Sequence, residues 1–437
     1  MSLLWLFGCE AVSSDPTAPF LSIPLGHLPL RNRLTGEQPE AVLAFDPSGE
    51  RLAVGTGDGV LRIVDVASGV VTLRLWLSPG PLRALLFTDD DLWVAEQSPD
   101  AWLRRLDPAT GDERARLRLA DQVGSGALPA PDDVYGIYAL PSAYGLAAAP
   151  DGDLFVTAVH GWAEAGARHQ RSRVLRVDGA TLEIEAGWPA DGAIDAALFG
   201  AEVGDGLAVA LRRGTDTPRP LGVPPDGLMI LDDAVRPVHQ LAVPALRPWF
   251  DLVFIWDTIA WTGAGWTAGT GDGRLVAWQG DEPVILALST PSLANDVPLV
   301  APVVSVAAVV GGVVAATGQT GVPWGSAPGV SHPPDDHDGA DSVFWVQNDP
   351  FAIRWTWSAS AHVAGVWPDH DVVWVSIAGS PDRRGVVSLR NTDGHPTAIL
   401  ATEGLAGALA VSADRTVAVV ESPDVEGSGA WRLVLFK

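Results

Sequence analysis

Short apolar runs, each ending in a turn signal, recur along the whole chain. The clearest example is residues 41–69, where apolar positions flank two tight turns, Asp46-Pro-Ser-Gly49 and Gly57-Asp-Gly59. Glycine supplies the positive φ that hairpin turns need, so the pattern predicts three short strands joined by two hairpins. The second hairpin recurs almost unchanged at 269–278, which indicates one building block used repeatedly.

Weaker copies of this unit occupy most of the remaining sequence, and no segment shows an apolar stripe of helical period and length. These copies lie at 82–120, 144–188, 194–243, 303–358, 363–401 and 405–436. With the two clear copies they predict an all-β fold, a single β-propeller of eight four-stranded blades, with seven blades left open.

The two ends of the repeat region complement each other. The last unit shows only three strands, and residues 19–30 form a strand-like stretch ahead of the first unit. We therefore expect the N-terminal strand to pair into the last blade, which closes the ring and removes exposed sheet edges. An N-terminal strand that covers the first blade is the alternative.

The residues of the two clear copies resemble the WD-repeat family of propellers. Thr56 and Asp58, like Thr270 and Asp272, occupy positions that form a hydrogen-bonded turn network in that family, and Trp278 matches its third-strand tryptophan. The resemblance implies a propeller and, in general terms, a protein-binding scaffold. Val64 replaces the tryptophan in the first unit, and the Gly-His dipeptide that opens family repeats is absent, so quinoprotein-like and lactonase-like propellers stay open.

Composition narrows the choice of partner. The 437-residue chain has a formal net charge of -25, and its one lysine is Lys437. Because binding to phosphate backbones needs a clustered basic face, a nucleic-acid partner is excluded.

The first residues carry a different signal. The apolar run of residues 3–7 leads into Gly8 and the single cysteine, Cys9, and resembles a bacterial lipobox, although a basic segment is missing and Phe7 is unusual there. We predict a signal and tether at 1–17, a propeller domain at 18–437, lipidation of Cys9 and attachment to the outer membrane, because Glu10 is not a retaining aspartate. An apolar segment packed on the domain is the alternative.

Long insertions fall between the second and third strands of several units, at 160–173, 212–227 and 318–341. These connections emerge on one face of a propeller, where a rigid scaffold usually carries its binding site. Trp162 and Trp324 lie inside two of the insertions and are candidates for binding a protein partner or a sugar ring, with packing of the loop onto its own blade as the alternative.

The sequence evidence for a metal-binding or catalytic site is limited to one acidic loop. Asp336, Asp338 and Asp341 surround Gly339 and offer the hard oxygen ligands that Ca²⁺ prefers, although a solvated acidic loop explains the same residues. No sequence motif of a hydrolase, a zinc enzyme or a phosphate-binding loop occurs.

The sequence therefore favours a non-enzymatic, lipid-anchored scaffold that binds a protein. A metal-dependent hydrolase or lyase with carboxylates in the channel, and a carbohydrate-binding propeller, are the alternatives.

Overall fold

The computed structural model contains 34 strands and one short helix in the part of the chain that it describes. The described residues are 17–26, 41–128, 140–164, 167–212, 227–243, 258–278, 280, 282–289, 292–294, 297–299, 301–318, 339, 341–359, 361–378, 385–422 and 430–437.

The first four blades are antiparallel sheets of four consecutive strands each. Blade 1 contains β2 (Ala41–Phe45), β3 (Arg51–Thr56), β4 (Val60–Asp65) and β5 (Val71–Trp76); blade 2 contains β6 (Leu82–Phe87), β7 (Leu92–Glu96), β8 (Trp102–Leu106) and β9 (Glu113–Arg118); blade 3 contains β10 (Ser142–Ala148), β11 (Leu154–Glu164), β12 (Ala167–Val177) and β13 (Ile184–Trp188); blade 4 contains β14 (Ala197–Gly204), β15 (Gly206–Arg212), β16 (Gly227–Leu231) and β17 (Pro237–Ala242).

The last four blades follow the same plan, except that blade 8 takes its fourth strand from the N-terminus. Blade 5 contains β18 (Ile259–Trp261), β19 (Trp266–Gly269), β20 (Arg274–Trp278) and β21 (Pro283–Ala287); blade 6 contains β24 (Val303–Val309), β25 (Gly312–Thr317), β26 (Ser342–Gln347) and β27 (Ala352–Ser358); blade 7 contains β28 (His362–Asp369), β29 (Val372–Ala378), β30 (Gly385–Arg390) and β31 (Pro396–Leu400); blade 8 contains β32 (Leu405–Val411), β33 (Val417–Ser422), β34 (Trp431–Phe436) and β1 (Leu21–Gly26). A small hairpin of β22 (Ser292–Ala294) and β23 (Val297–Leu299) connects blades 5 and 6.

The blades form a closed ring around their first strands. Each first strand contacts the first strands of both neighbouring blades, and β2 of blade 1 contacts β32 of blade 8. The eight-bladed propeller predicted from the repeats and from the WD-repeat resemblance is therefore confirmed. The one helix among the described residues, α1 (Ala120–Val123), has four residues, too few to produce an apolar stripe in the sequence.

A separate apolar core fills each of the eight interfaces between neighbouring blades. Alternate residues of one strand contribute to different cores, since successive side chains point to opposite faces of a sheet. In β3, Leu52 and Val54 pack against blade 8, and Ala53 packs against blade 2. Because every blade is covered on both faces, inner strands such as β3 and β7 are buried almost throughout, whereas the outer strands β5 and β9 alternate with exposed residues.

The ring closes through β1, as the sequence predicted. β1 pairs antiparallel with β34, from Leu21 opposite Leu435 to Gly26 opposite Trp431. The side chains of Ile23 and Leu25 complete the core between blades 8 and 1.

Buried Arg62 of β4 links the closing strand to blade 1. Its Nη2 donates to the carbonyl of Leu25 at 3.0 Å, and its Nη1 donates to Thr56 Oγ1 at 3.1 Å. Burial lowers the pKa of the Arg62 guanidinium, and the nearby Asp58 carboxylate opposes this effect. The arginine thus satisfies a backbone acceptor of the strand that closes the ring.

The predicted turn-network residues lie at two equivalent turns. Thr56 Oγ1 is 2.5 Å from Asp58 Oδ1, and Thr270 Oγ1 is 2.5 Å from Asp272 Oδ1. Trp278 lies in the core between blades 4 and 5, and its Nε1 has no hydrogen-bond partner within the described residues.

Glycine is required in the first of these turns. Gly59 has a φ of +76°, and a Cβ there would lie 1.9 Å from the carbonyl oxygen of Ser78, in the connection that follows blade 1.

Shortening Leu25 tests the contribution of ring closure to stability. Leu25 is 3% exposed in the core between blades 8 and 1, so Leu25→Ala should lower the free energy of unfolding by about 2–4 kcal/mol. The measurement is urea-induced unfolding. Ser22→Ala changes an exposed side chain of the same strand and should leave the unfolding midpoint almost unchanged. An equally small effect of Leu25→Ala would contradict a stabilising role for the closing strand.

Candidate functional site

The two faces of the ring differ in the length of their connections. First-to-second and third-to-fourth strand connections lie on one face, here called the turn face, and none exceeds six residues between the described strand ends. The opposite face, here called the loop face, carries the second-to-third strand connections and those between blades. Six of its connections have 14 or more residues: 27–40, 119–141, 213–226, 243–258, 288–302 and 318–341. Insertion is thus concentrated on the loop face, as the sequence predicted.

The described part of the loop face is most complete at blades 2 and 3. After β7, the connection 97–101 folds back on its own strand, where the Ser98 hydroxyl donates to Glu96 Oε1 at 2.6 Å. Arg104 Nη2 lies 3.3 Å from Glu96 Oε2, and the Ser142 hydroxyl donates to the Glu96 carbonyl at 3.3 Å. Burial raises the pKa of the Glu96 carboxyl, although Ser98 and Arg104 oppose this.

Gln97 joins this connection to the first strands of blades 2 and 3. Its Oε1 accepts from Arg83 Nε at 2.8 Å, and its Nε2 donates to the carbonyl of Leu140 at 3.2 Å and to the Tyr144 hydroxyl at 3.1 Å. Arg83 and Tyr144 both lie at register shifts near the loop-face ends of β6 and β10. The polar cluster therefore lies beside the loop-face opening of the ring.

The helix α1 packs next to connection 97–101. The backbone amides of Leu119 and Ala120 donate to the carbonyls of Ala101 and Asp100, and Arg118 Nη2 pairs with Asp100 Oδ1 at 2.7 Å. No helix in the described ranges is long and apolar enough to cross a membrane. The helix α1 also contacts β11 and β12, and it thus connects blade 2 to the hairpin of blade 3.

In blade 3, β11 and β12 continue past the rest of their sheet. Their pairing runs from Leu154 opposite Val177 to Glu164 opposite Ala167, whereas β10 pairs only as far as Val159 and β13 only as far as Val174. Residues 160–164 and 167–171 therefore form a two-stranded extension, here called the arm. The insertion predicted at 160–173 is at the expected face, but it consists of regular strand pairs rather than an irregular loop.

Aromatic side chains lie together on one side of the arm. The rings of Trp162 and His169, which face each other across the two strands, are 5.2 Å apart and nearly parallel at 19°. The His160 ring lies 4.9 Å from Trp162, and the Arg171 guanidinium carbon lies 5.7 Å from the centre of a Trp162 ring. These contacts hold the half-buried Trp162 and explain why the strands pair regularly here.

The base of the arm is fixed to α1 and to the connection after blade 3. Arg173 Nη1 donates to Gln122 Oε1 at 2.5 Å, and Arg173 Nη2 donates to the carbonyl of Ala190 at 2.7 Å. The His160 Nδ1 atom lies 3.4 Å from the carbonyl of Val123. The arm thus leaves the loop face from a base that is held by side-chain contacts.

Of the other predicted site residues, only Asp341 is described. Cys9, Trp324, Asp336 and Asp338 lie outside the described residues. The Asp341 amide donates to the carbonyl of Gly318 at 3.2 Å, which joins the two ends of connection 318–341. Its Oδ1 is 4.0 Å from His362 Nδ1, and burial lowers the pKa of His362. The calcium prediction for this loop stays a prediction.

The first strands around the channel carry few ionisable acid or base side chains. In the described ranges these are Arg83, Glu202, His362 and Asp369. Asp369 contacts His370 Nδ1 at 2.6 Å and Arg415 Nε at 3.4 Å, in a turn-face cluster. No group of three or more His, Cys, Asp or Glu side chains that could hold a metal ion occurs among the residues described.

Comparison with known proteins shows similarity of structure alone. No protein-family model matches the chain, and no curated protein matches it. The structure is similar to the computationally designed Ika8 protein, with a TM-score of 0.56 and 11% sequence identity over 95% of this chain and 100% of that one. It also resembles BamB from Moraxella catarrhalis, with a TM-score of 0.45 and 13% identity over 79% of this chain and 83% of that chain. It also resembles the Pan2 WD40 domain of Neurospora crassa, with a TM-score of 0.48 and 11% identity over 92% of this chain and 90% of that chain.

The similarity to the designed protein concerns the fold and extends over nearly the whole chain. The other two similarities are too distant to carry an argument. The function of the chain is therefore argued from its own geometry.

The buried carboxyl of Glu96 should make stability depend on pH. Its pKa is raised above 4.5 by burial in the folded chain. Its contribution to stability is therefore greatest below the unfolded-state pKa and decreases as the pH rises through the folded-state pKa. Glu96→Gln removes this titration, so the stability of the wild type relative to this variant should fall as the pH rises above the usual range of a glutamate pKa.

Urea-induced unfolding at several pH values measures this difference. Glu113→Gln is the matched control, because Glu113 is the second carboxylate paired with Arg104 and is more exposed. A relative stability of the wild type that rises with pH would show that the folded chain favours the charged form of Glu96.

Proposed function

We propose that the protein is a propeller scaffold that binds a protein partner on its loop face. The observation that carries the proposal is the difference between the faces, with connections of six residues or fewer on the turn face and six connections of 14 or more on the loop face. Neither closing the ring nor packing the blades requires this difference. Rigid scaffolds generally place binding residues on such connections.

The described chemistry of the loop face also favours binding over catalysis. Blades 2 and 3 offer Trp162 and Arg171, and tryptophan and arginine are side chains that dominate protein interfaces. Stacking of His169 against Trp162 covers one face of the indole that a sugar ring would use. A protein partner is therefore preferred to a carbohydrate.

Photo-crosslinking tests the use of the loop face. A photoreactive amino acid at Leu128 or at Glu403, both exposed on the loop face, should give crosslinks to one and the same protein in producing cells, identified by mass spectrometry. Val310 and Asp371, exposed on the turn face, are the matched control positions and should give none. Capture of a common partner from the turn-face positions alone would reject the proposal.

We also propose that Cys9 anchors the scaffold to a bacterial outer membrane. Thr17 is held to the outer strand of blade 7, because its amide donates to the carbonyl of Ile399 at 2.8 Å and its carbonyl accepts from the Ala401 amide at 3.1 Å. The chain between Cys9 and Thr17 can span at most about 28 Å. An anchor at Cys9 would therefore keep the rim near blades 7 and 8 close to the membrane surface.

Metabolic labelling with a palmitate analogue tests the anchor. The wild-type protein should incorporate label and fractionate with the outer membrane, whereas Cys9→Ser should do neither. Absence of label in the wild type would reject the anchor and would leave the loop-face proposal unaffected.

A further inference from the structure

The arm differs from every other described part of the loop face because it continues beyond its own sheet. Residues 160–164 extend past the last pairing of β10, a length of about 13 Å at the usual rise of a strand. The aromatic contacts of Trp162 and the contacts of Arg173 at the base keep the two strands in register. The arm is therefore an ordered element at which the side chains of Trp162, His169 and Arg171 have defined positions.

The charge of the arm is opposite to that of the chain. The whole chain has a net charge of -25 with histidine neutral, whereas residues 160–171 contain two arginines against one carboxylate, Glu164. Electrostatic interactions between exposed charges are screened over about 8 Å at physiological salt. Carboxylates of the chain farther away than this distance are largely screened at the arm, whereas Asp195, 3.8 Å from Arg171, is a nearby carboxylate that an acidic ligand has to displace.

Arg171 combines exposure with a prepared orientation. Its side chain is 54% exposed, and its ion-pair partner Asp195 is 63% exposed at a separation of 3.8 Å. Such an exposed pair contributes little stability, so another carboxylate can replace Asp195 at small cost. Contact with the Trp162 ring limits the motion of the guanidinium, which reduces the entropy lost on binding.

We propose that the arm binds an acidic segment of the partner protein, with Arg171 pairing with a carboxylate and the half-buried Trp162 contacting the adjacent side chain. This inference rests on the proposed function and adds the chemistry of the partner to it. His169 is a positioning residue, because it stacks on Trp162 and thereby holds the surface beneath Arg171. Charge complementarity favours this occupant over a basic or a neutral one.

Fluorescence anisotropy with the full-length protein tests the inference, and the probe is fluorescein-labelled decaglutamate. The wild type should bind it saturably, and increasing salt should weaken the binding. Arg171→Glu should weaken binding about tenfold or more, since a charge-assisted hydrogen bond is lost and a repulsion is added. Trp162→Ala should weaken it about threefold to tenfold.

Arg354→Glu is the matched control, because it makes the same change of charge at an exposed position on the outer strand of blade 6. It should alter the affinity by less than about twofold, as expected for a distant screened charge. Unchanged thermal unfolding of Arg171→Glu would show that the variant is folded, and this variant decides the test if Trp162→Ala is unstable.

Several results would overturn the inference. The first is that Arg171→Glu and Arg354→Glu weaken the binding of decaglutamate equally. The second is that decalysine binds as tightly as decaglutamate. The third is that an oligogalacturonate binds and the peptide does not. The last result would identify an acidic polysaccharide as the ligand. If Arg171→Glu still captured the same partner from Leu128 and Glu403, the loop-face function would stand and the role of the arm would be rejected.

Discussion

Burial of apolar side chains between facing blades is the interaction on which the whole molecule depends. Each sheet has two apolar faces, and neither can be covered except by a neighbour, so no blade is complete alone. The eighth core forms only because Ile23 and Leu25 of β1 meet blade 1 across the closing interface. A closed ring holds the loop-face ends of its strands in fixed relative positions, and this constraint fixes the points at which the connections of that face begin and end.

The blades could be predicted from sequence because their determinants are local. Turn glycines such as Gly59 mark where hairpins reverse, and the inner strands between them are rich in apolar residues. Even the closing strand was predictable, since a missing strand at one end matched an extra one at the other. The hairpin β22–β23 and the single turn α1 were not, because they are too short to show a period.

The candidate site was only partly predictable, because its contacts join residues that are not close in the sequence. Trp162 could be singled out, because tryptophan in an insertion is conspicuous, but its partners His169 and Arg171 become neighbours only through the register of β11 and β12. Arg83, Gln97 and Tyr144 meet across two blades, and no sequence pattern links them.

The origin of blade 8 from both ends of the chain has a consequence for how the protein folds. Blades 1 to 7 each use neighbouring strands, so their contacts are local and can form as the chain emerges from the ribosome. The edge of β1 finds its partner only when β34 has been synthesised, and until then it is exposed to unintended pairing. Completion of the ring is thus a late step of folding that joins residues far apart in the sequence. The rate at which the last blade forms can therefore change under selection separately from the stability of the other seven blades.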